Sequence, residues 1–212
     1  SRSHYLWLQP NPGTVTIGRY GGADACASVG VRDGLTCTLS QDIEGEVRID
    51  EPGTVLDCAG HRIAQAYAAR STGIGILVPG SAEHYIDLQD VTIRNCVVGG
   101  VDAGFWQGVL ASRSVRLRIE GSTFERNTVG LSLLETVEAT VVGNAIDALT
   151  MGIEVWGFGS RDGDFENNAL AIGPQGIGID LAGAATAGEP QLVTALTDRK
   201  STRLNSSHAT LS

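Results

Sequence analysis

Apolar and polar residues alternate along a short stretch near the middle of the chain, MGIEVW, which spans Met151 to Trp156. Alternation with a period of two is typical of a β-strand that buries one face. It predicts that Ile153 and Val155 point inward and that Glu154 and Trp156 point outward. A glycine followed by alternating aliphatic residues recurs in four further phrases, TGIGILV, QGVLAS, VGLSLL and IGIDLA.

The spacing of these phrases indicates a repeat architecture. Their glycines are Gly75, Gly108, Gly130, Gly152 and Gly178, at intervals of 33, 22, 22 and 26. A second series of turn residues is interleaved with the first and consists of Asn95, Gly121, Gly143 and Asn167, at intervals of 26, 22 and 24. A period of about 22 residues predicts a solenoid of stacked strand segments. Gly and Asn suit corners with positive φ between those segments.

Stacked strand segments would bury one continuous set of aliphatic side chains, because strand edges of successive coils pair at about 4.8 Å. The predicted inward residues are Leu131, Leu133, Ile153, Val155, Ile179 and Leu181.

A family resemblance rests on TVLDCAGHRI (Thr54–Ile63), followed by STGIGILV and VTIRNCVV. These phrases resemble the right-handed parallel β-helix repeat proteins of the pectate-lyase-like superfamily, over roughly Val47 to Leu181. The resemblance implies an all-β fold, a right-handed single-stranded parallel β-helix with coils of about 22 residues. The superfamily includes polysaccharide lyases, glycoside hydrolases, uronate epimerases, adhesins, phage tailspikes and periplasmic maturation proteins, so the fold does not select one function.

The chain divides into three predicted parts: residues 1–46 as an N-terminal cap, 47–197 as the β-helix, and 198–212 as an artefact. The artefact interpretation rests on DRKSTRLNSSH (Asp198–His208), which is codon for codon the translation of a common sequencing-library adapter. The tail also contains Lys200, the one lysine of the chain. We therefore exclude the tail from fold reasoning and expect the natural protein to continue beyond Thr197.

Charge excludes two classes of partner. The 212 residues carry a formal net charge of −9, or −11 without the tail, whose removal leaves 23 acidic and 12 basic residues. Such a chain repels nucleic acid and anionic membrane surfaces. No apolar run is long enough to span a membrane.

The four cysteines, Cys26, Cys37, Cys58 and Cys96, lack the C-x-x-C spacing of a zinc site. An even number in an acidic, strand-rich chain fits two disulfides, with three possible connectivities. We favour Cys26–Cys37 as a local clip and place Cys58 and Cys96 in the core, bonded or not. Four buried free thiols are the alternative. Disulfides would indicate a secreted, cell-surface or periplasmic protein.

The outward residues of successive phrases form a predicted outer row with two tryptophans on the same face. The row is Leu77, Leu110, Ser132, Glu154 and Asp180, and the tryptophans are Trp106 and Trp156. Two carboxylates on adjacent coils raise the pKa of one member, which suits acid/base or nucleophile chemistry on a glycosidic bond. Glu154 and Asp180 are thus the candidate catalytic residues. The alternative is that both are simply solvated surface residues.

Candidate ligand contacts are Trp106, Trp156, Ser132 and Arg161, because indole rings provide flat platforms for sugars and Arg161 could neutralise a uronate. The corner SRDGDFENN also offers Asp162 and Asp164 as calcium ligands, although one corner does not supply six to eight oxygens. A turn bonded by its own Asp side chains is the alternative. We expect His61 to have a packing or turn-bonding role.

The leading hypothesis is an extracellular or surface module that binds polysaccharide on its outer strand face, with cleavage by lyase or hydrolase chemistry left open. The acidic charge makes a neutral glycan the better fit. The rival is a structural or adhesive protein that presents the segment Val98–Gln107 to a protein partner. Periplasmic maturation of a metalloprotein is a third hypothesis, suggested by the family resemblance alone.

Overall fold

The structure, a computed structural model, describes residues 13–18, 24–65, 73–80, 88–157, 160, 162–182, 197–199 and 202–203. Twenty-two β-strands and one helix of four residues make this part of the chain all-β, as predicted. Within the same ranges, no helix has the length and apolar character needed to cross a membrane.

The elements in chain order are β1 (Val15–Ile17), α1 (Cys26–Val29), β2 (Gly30–Asp33), β3 (Thr36–Leu39), β4 (Ile43–Glu44), β5 (Val47–Ile49), β6 (Val55–Asp57), β7 (Arg62–Ala64), β8 (Ile74–Pro79), β9 (Leu88–Gln89), β10 (Thr92–Arg94), β11 (Val97–Gly99), β12 (Gln107–Ser112), β13 (Ser114–Val115), β14 (Arg118–Glu120), β15 (Thr123–Leu134), β16 (Thr140–Val142), β17 (Ala145–Trp156), β18 (Asp164–Glu166), β19 (Ala169–Ile172), β20 (Ile177–Ala182), β21 (Thr197–Arg199) and β22 (Thr202–Arg203).

The strands form sheets of twelve, eight and two members. Every strand pair in the described residues is parallel except the β2–β3 hairpin near the N-terminal end. Parallel neighbours need long connections, and here each connection contains other strands. The result is a set of curled, mostly parallel sheets that is compatible with a β-solenoid.

The register of the eight-stranded sheet reproduces the spacing seen in the sequence. Ile93 pairs with Ile119, Ile119 with Val141, and Val141 with Phe165. The numbering of these partners advances by 26, then 22, then 24, which equals the intervals between the turn residues of the second series. All four side chains are buried, so each step along the ladder adds one aliphatic or aromatic residue to the core.

The predicted inward residues lie in the core. Leu131, Leu133 and Ile153 are fully buried, Val155 is nearly so, and two further residues pack against them, Ile179 and Leu181. The period-two alternation therefore identified the buried face of β15, β17 and β20 correctly.

The two recurring series have different physical causes, and the sequence alone did not distinguish them. The corner residues Asn95, Gly121, Gly143 and Asn167 have φ of 53°, 55°, 65° and 53°, as predicted. A left-handed backbone costs Gly little and Asn less than most residues, so these two types occupy the four corners.

The other series occupies a row where the backbones of successive repeats approach too closely for a side chain. A Cβ added to Gly75, Gly108, Gly130 or Gly152 would lie 2.5–2.7 Å from the carbonyl oxygen of the next glycine in the row, and the last of these is Gly178. None of the first four has a positive φ. Close packing between neighbouring backbones, and not a positive φ at a corner, is therefore the reason that glycine recurs in this series.

A buried polar ladder supports the corners after β14, β16 and β18. The backbone N–H of Ser122 donates to Asn144 Oδ1 at 3.0 Å, and the N–H of Asn144 donates to Asn168 Oδ1 at 3.0 Å. All three side chains are almost fully buried. The ladder satisfies backbone donors that would otherwise be lost where strand pairing stops.

Both disulfides are present. Cys26 pairs with Cys37, as predicted, across 11 residues, and Cys58 pairs with Cys96 across 38. The alternative of four free thiols is wrong for this structure. Two disulfides are consistent with an extracellular protein.

Residues on both sides of the predicted boundary at 46/47 pair with each other, since β1 lies beside β5 and β4 beside β7. In the tail, β21 and β22 lie beside β18 and β19. The remaining residues of 183–212 lie outside the described ranges. The division at 46/47 and the artefact interpretation of 198–212 stay predictions.

Candidate functional site

The predicted outer row is one continuous row of strand partners. In the sheet order β8, β12, β15, β17 and β20, each residue is the register partner of the next, and the row reads Leu77, Leu110, Ser132, Glu154 and Asp180. The sequence series therefore placed these residues side by side correctly. We call this set the outer row.

Three side chains at the centre of this region are joined by hydrogen bonds. Ser132 Oγ donates to Glu154 Oε2 at 2.9 Å, and the Trp156 indole Nε1–H donates to Ser132 Oγ at 3.3 Å. Ser132 is 0% exposed, because it lies between these two neighbours. Leu77 is also buried. Two members of the outer row are therefore covered by their neighbours and not exposed to solvent. The role of Ser132 in ligand contact stays a prediction.

Glu154 and Asp180 are adjacent partners on β17 and β20, and both are half-buried. Neighbouring strands are about 4.8 Å apart. Glycosidases that retain anomeric configuration hold their two carboxyl groups about 5–5.5 Å apart, whereas inverting enzymes separate them by about 6.5–9.5 Å. The spacing of the strands thus matches the shorter of the two arrangements.

The two candidate tryptophans flank the outer row. Trp106 is 52% exposed and Trp156 is 40% exposed. Trp106 precedes Gln107, which pairs with Val129 on β15, and Val129 pairs with Met151 on β17. Measured along the strands, Trp106 therefore lies at about the position of residue 150. That position is six residues before Trp156, which corresponds to about 20 Å. An extended chain molecule could contact both indoles, whereas a single sugar could not.

The predicted calcium corner is only partly described. Arg161 lies outside the described residues, Asp162 is exposed with φ of 56°, and Asp164 is half-buried in β18. Within the described residues, Asp164 Oδ1 is buried and has no hydrogen-bond partner. The same part of the chain holds no group of three or more His, Cys, Asp or Glu side chains placed to bind a metal. Two carboxylates fall short of a calcium shell.

Three arginines that precede Ser132 of the outer row in sequence are engaged with carboxylates of this chain. Arg113 pairs with Glu135 at 2.7 Å. Arg116 donates two hydrogen bonds to Asp90, at 2.6 and 2.8 Å, and lowers the pKa of that carboxyl. A third pair, Arg118 with Glu120 at 2.7 Å, lies on β14.

His61 has the turn-bonding role that the sequence indicated. Its backbone N–H donates to the carbonyl of Cys58, and its Nδ1 lies 3.2 Å from Asp42 Oδ1. The backbone N–H of Arg62 donates to the same carboxylate at 2.9 Å. The hydrogen bond from Arg62, followed by that from His61, lowers the pKa of Asp42.

Asn127 is the functional candidate that sequence reasoning missed. It is 0% exposed and contacts the segment that carries Trp106. No sequence signal marks it, because Asn127 stands within a polar run, ERNT, between Phe124 and Val129.

Comparison with protein-family models, with curated proteins and with solved structures finds no match to this chain.

Proposed function

We propose that this chain is a right-handed parallel β-helix of the pectate-lyase-like kind, secreted or held at the cell surface or in the periplasm. Its function is to bind a neutral polysaccharide on the outer strand face, across the outer row. The observation that carries the proposal is the pair of exposed tryptophans, one on each side of the outer row that contains Glu154 and Asp180. Exposed indoles flanking polar groups are typical of sugar-binding faces.

The choice of a neutral glycan rests on charge. The chain has a net charge of −9, and three nearby arginines already pair with carboxylates, namely Arg113, Arg116 and Arg118. A polyanion would have to break those pairs or face Glu154 and Asp180 directly. A neutral sugar meets neither obstacle.

The β-helix and the location are supported by separate observations. Parallel partners along one sheet follow one another at steps of 22, 24 and 26 in the numbering, as expected of stacked coils. Two disulfides, Cys26–Cys37 and Cys58–Cys96, fit an oxidising compartment.

The positions of Glu154 and Asp180 on neighbouring strands support a hydrolase reaction. Glu154, oriented by the hydrogen bond from Ser132, would act as nucleophile, and Asp180 on the next strand as acid/base. Asp180 would protonate the leaving oxygen and then accept a proton from the water that releases the glycosyl group from Glu154. The short spacing of the two strands makes retention of configuration the expected outcome. A lyase reaction is disfavoured because it needs a uronate substrate.

Removal of either tryptophan should weaken glycan binding about tenfold, since stacking of a ring on an indole contributes about 1.4 kcal/mol. The measurement is affinity electrophoresis of Trp106→Ala and Trp156→Ala through gels that contain xyloglucan, galactomannan, polygalacturonate or alginate. Val31→Ala, which removes an exposed apolar side chain from the distant β2 strand, is the control and should migrate as the unmodified chain does. Equal retardation of all three variants would contradict the proposal.

If the bound polysaccharide is cleaved, Glu154→Gln should lower turnover at least 100-fold and leave retardation within about twofold, because the amide keeps the shape but loses the nucleophile. Reducing-end assays measure turnover, and NMR of the first product gives the anomeric configuration. Asp147→Asn, an exposed carboxylate on the same strand, is the control. Full activity of Glu154→Gln, or an inverted product, would exclude the assigned roles.

A non-enzymatic adhesive function is the second candidate, and one observation favours it. The segment between β11 and β12 exposes Val101 (73%) as well as Trp106, both large apolar side chains on one connection. Exposed apolar clusters mark protein contacts as well as ligand sites. Val101→Ser together with Trp106→Ala would then abolish capture of a protein partner while the polysaccharide gels retard neither form.

A further inference from the structure

The segment that carries Trp106 is an insertion relative to the next repeat. Gly99 pairs with Glu125, and Gln107 pairs with Val129. Seven residues, 100–106, therefore lie beside three residues, 126–128. The four additional residues leave the sheet at this corner, and we call residues 100–106 the insertion.

One buried side chain of the next repeat binds both the strand before the insertion and the end of the insertion. Asn127 Nδ2 donates to the carbonyl of Val98 at 3.1 Å, and Asn127 Oδ1 accepts from the backbone N–H of Phe105 at 2.8 Å. All three groups are shielded from water, since Asn127 is fully buried and the two contacts are buried as well. Buried hydrogen bonds of this kind are costly to break, because the released groups find no water partner.

The backbone on either side of the indole is fixed as well. The N–H of Thr128 donates to the carbonyl of Phe105 at 2.9 Å, and the N–H of Val129 donates to the carbonyl of Trp106 at 2.8 Å. Phe105 is almost fully buried, whereas Trp106 is about half exposed to solvent. At Gly104 an added Cβ would lie 2.5 Å from the carbonyl oxygen of Arg126, so the insertion packs directly on the next repeat.

A second contact secures the start of the insertion. Arg62 Nη1 donates to the carbonyl of Gly99 at 2.8 Å and pairs with Glu125 at 2.6 Å. Arg62 lies one repeat before the insertion and Glu125 one repeat after it, so the ion pair bridges across the residue where the insertion leaves the sheet.

We propose that Asn127, assisted by Arg62, is a positioning residue that holds Trp106 in a preformed orientation for the polysaccharide. The physical reason is entropic: an aromatic contact that is ordered before binding does not lose conformational freedom when the ligand arrives. This inference rests on the proposed function, because it assigns Asn127 a role in that same binding site.

Asn127→Ala should weaken retardation by xyloglucan about fivefold, the loss expected when one ordered aromatic side chain becomes mobile. Hydrogen exchange followed by NMR should also show faster exchange of the amides of Phe105 and Thr128. The matched control is Asn144→Ala, which removes an equally buried Asn from the corner ladder. In that variant the amide of Ser122 should exchange faster, while Phe105 exchange and xyloglucan affinity stay unchanged.

Arg62→Met provides a second variant on the protein surface, should Asn127→Ala not fold, and it should weaken xyloglucan binding about twofold. Normal binding by a variant in which Phe105 and Thr128 exchange faster would overturn the inference. Unchanged exchange of those amides would overturn it too. If the unmodified chain is retarded by no polysaccharide, the proposed function fails, and the exchange rates alone then decide whether Asn127 orders the segment around Trp106.

Discussion

Gly130→Ala is expected to lower the free energy of unfolding by about 1–3 kcal/mol, the usual cost of inserting a methyl group into a closely packed site. The new Cβ would overlap Ile146 Cγ2 and would lie 2.5 Å from the carbonyl oxygen of Gly152. The first neighbour is a buried core side chain, and the second is backbone held by the β15–β17 ladder. Neither can move without loss of packing or of strand pairing.

The measurement is thermal and urea unfolding followed by circular dichroism, where a loss of this size lowers Tm by several degrees in a chain of this length. Gly143→Asn is the matched control from the next repeat. Nothing lies within 4 Å of a Cβ at Gly143, and Asn already occupies the equivalent corners at positions 95 and 167 with φ of 53°. The control should stay within about 0.5 kcal/mol of the parent. Equal stability of the two variants would show that the glycine row is not under steric constraint.

The contrast between these two glycines shows how far the sequence could predict the fold. Period-two alternation gave the buried face of β15 and β17, and the spacing of turn residues gave the ladder steps, because both depend on local geometry that the chain repeats. The close approach at Gly130 could not be predicted. It depends on the distance between the backbones of two successive repeats, which no local pattern records.

The candidate site shows the same limit. Alternation placed Ser132, Glu154 and Asp180 in one row but said nothing of what covers each member. Ser132 is covered by Glu154 and by the Trp156 indole, which reaches from the neighbouring strand to donate a hydrogen bond to it. The role of Asn127 was hidden for a related reason: its partners, Val98 in β11 and Phe105 in the insertion, are brought together by an insertion that occurs in one repeat and therefore breaks the pattern.

Loss of the Cys58–Cys96 disulfide is expected to have the largest effect of any change considered, about 4 kcal/mol. In the chain-entropy account of disulfide stabilisation the gain rises with the length of the loop that is closed, and this bond spans 38 residues. Both sulfur-bearing side chains are buried. The backbone N–H of Cys96 also donates to Ser122 Oγ, so the bond continues the polar ladder of the later corners into the first repeats.

Urea unfolding of Cys58→Ala/Cys96→Ala measures this loss, and Cys26→Ala/Cys37→Ala is the control, with about 3 kcal/mol expected for its shorter span of 11 residues. The two variants should also differ in where the structure opens. Without Cys58–Cys96, the corners that follow β6 and β10 lose the covalent link between neighbouring repeats. Amides of β6 and β10 should therefore exchange early, while those of β16 and β18 stay protected. A larger loss for the Cys26/Cys37 variant would show instead that the N-terminal hairpin, and not the stacking of the first repeats, limits the stability of the chain.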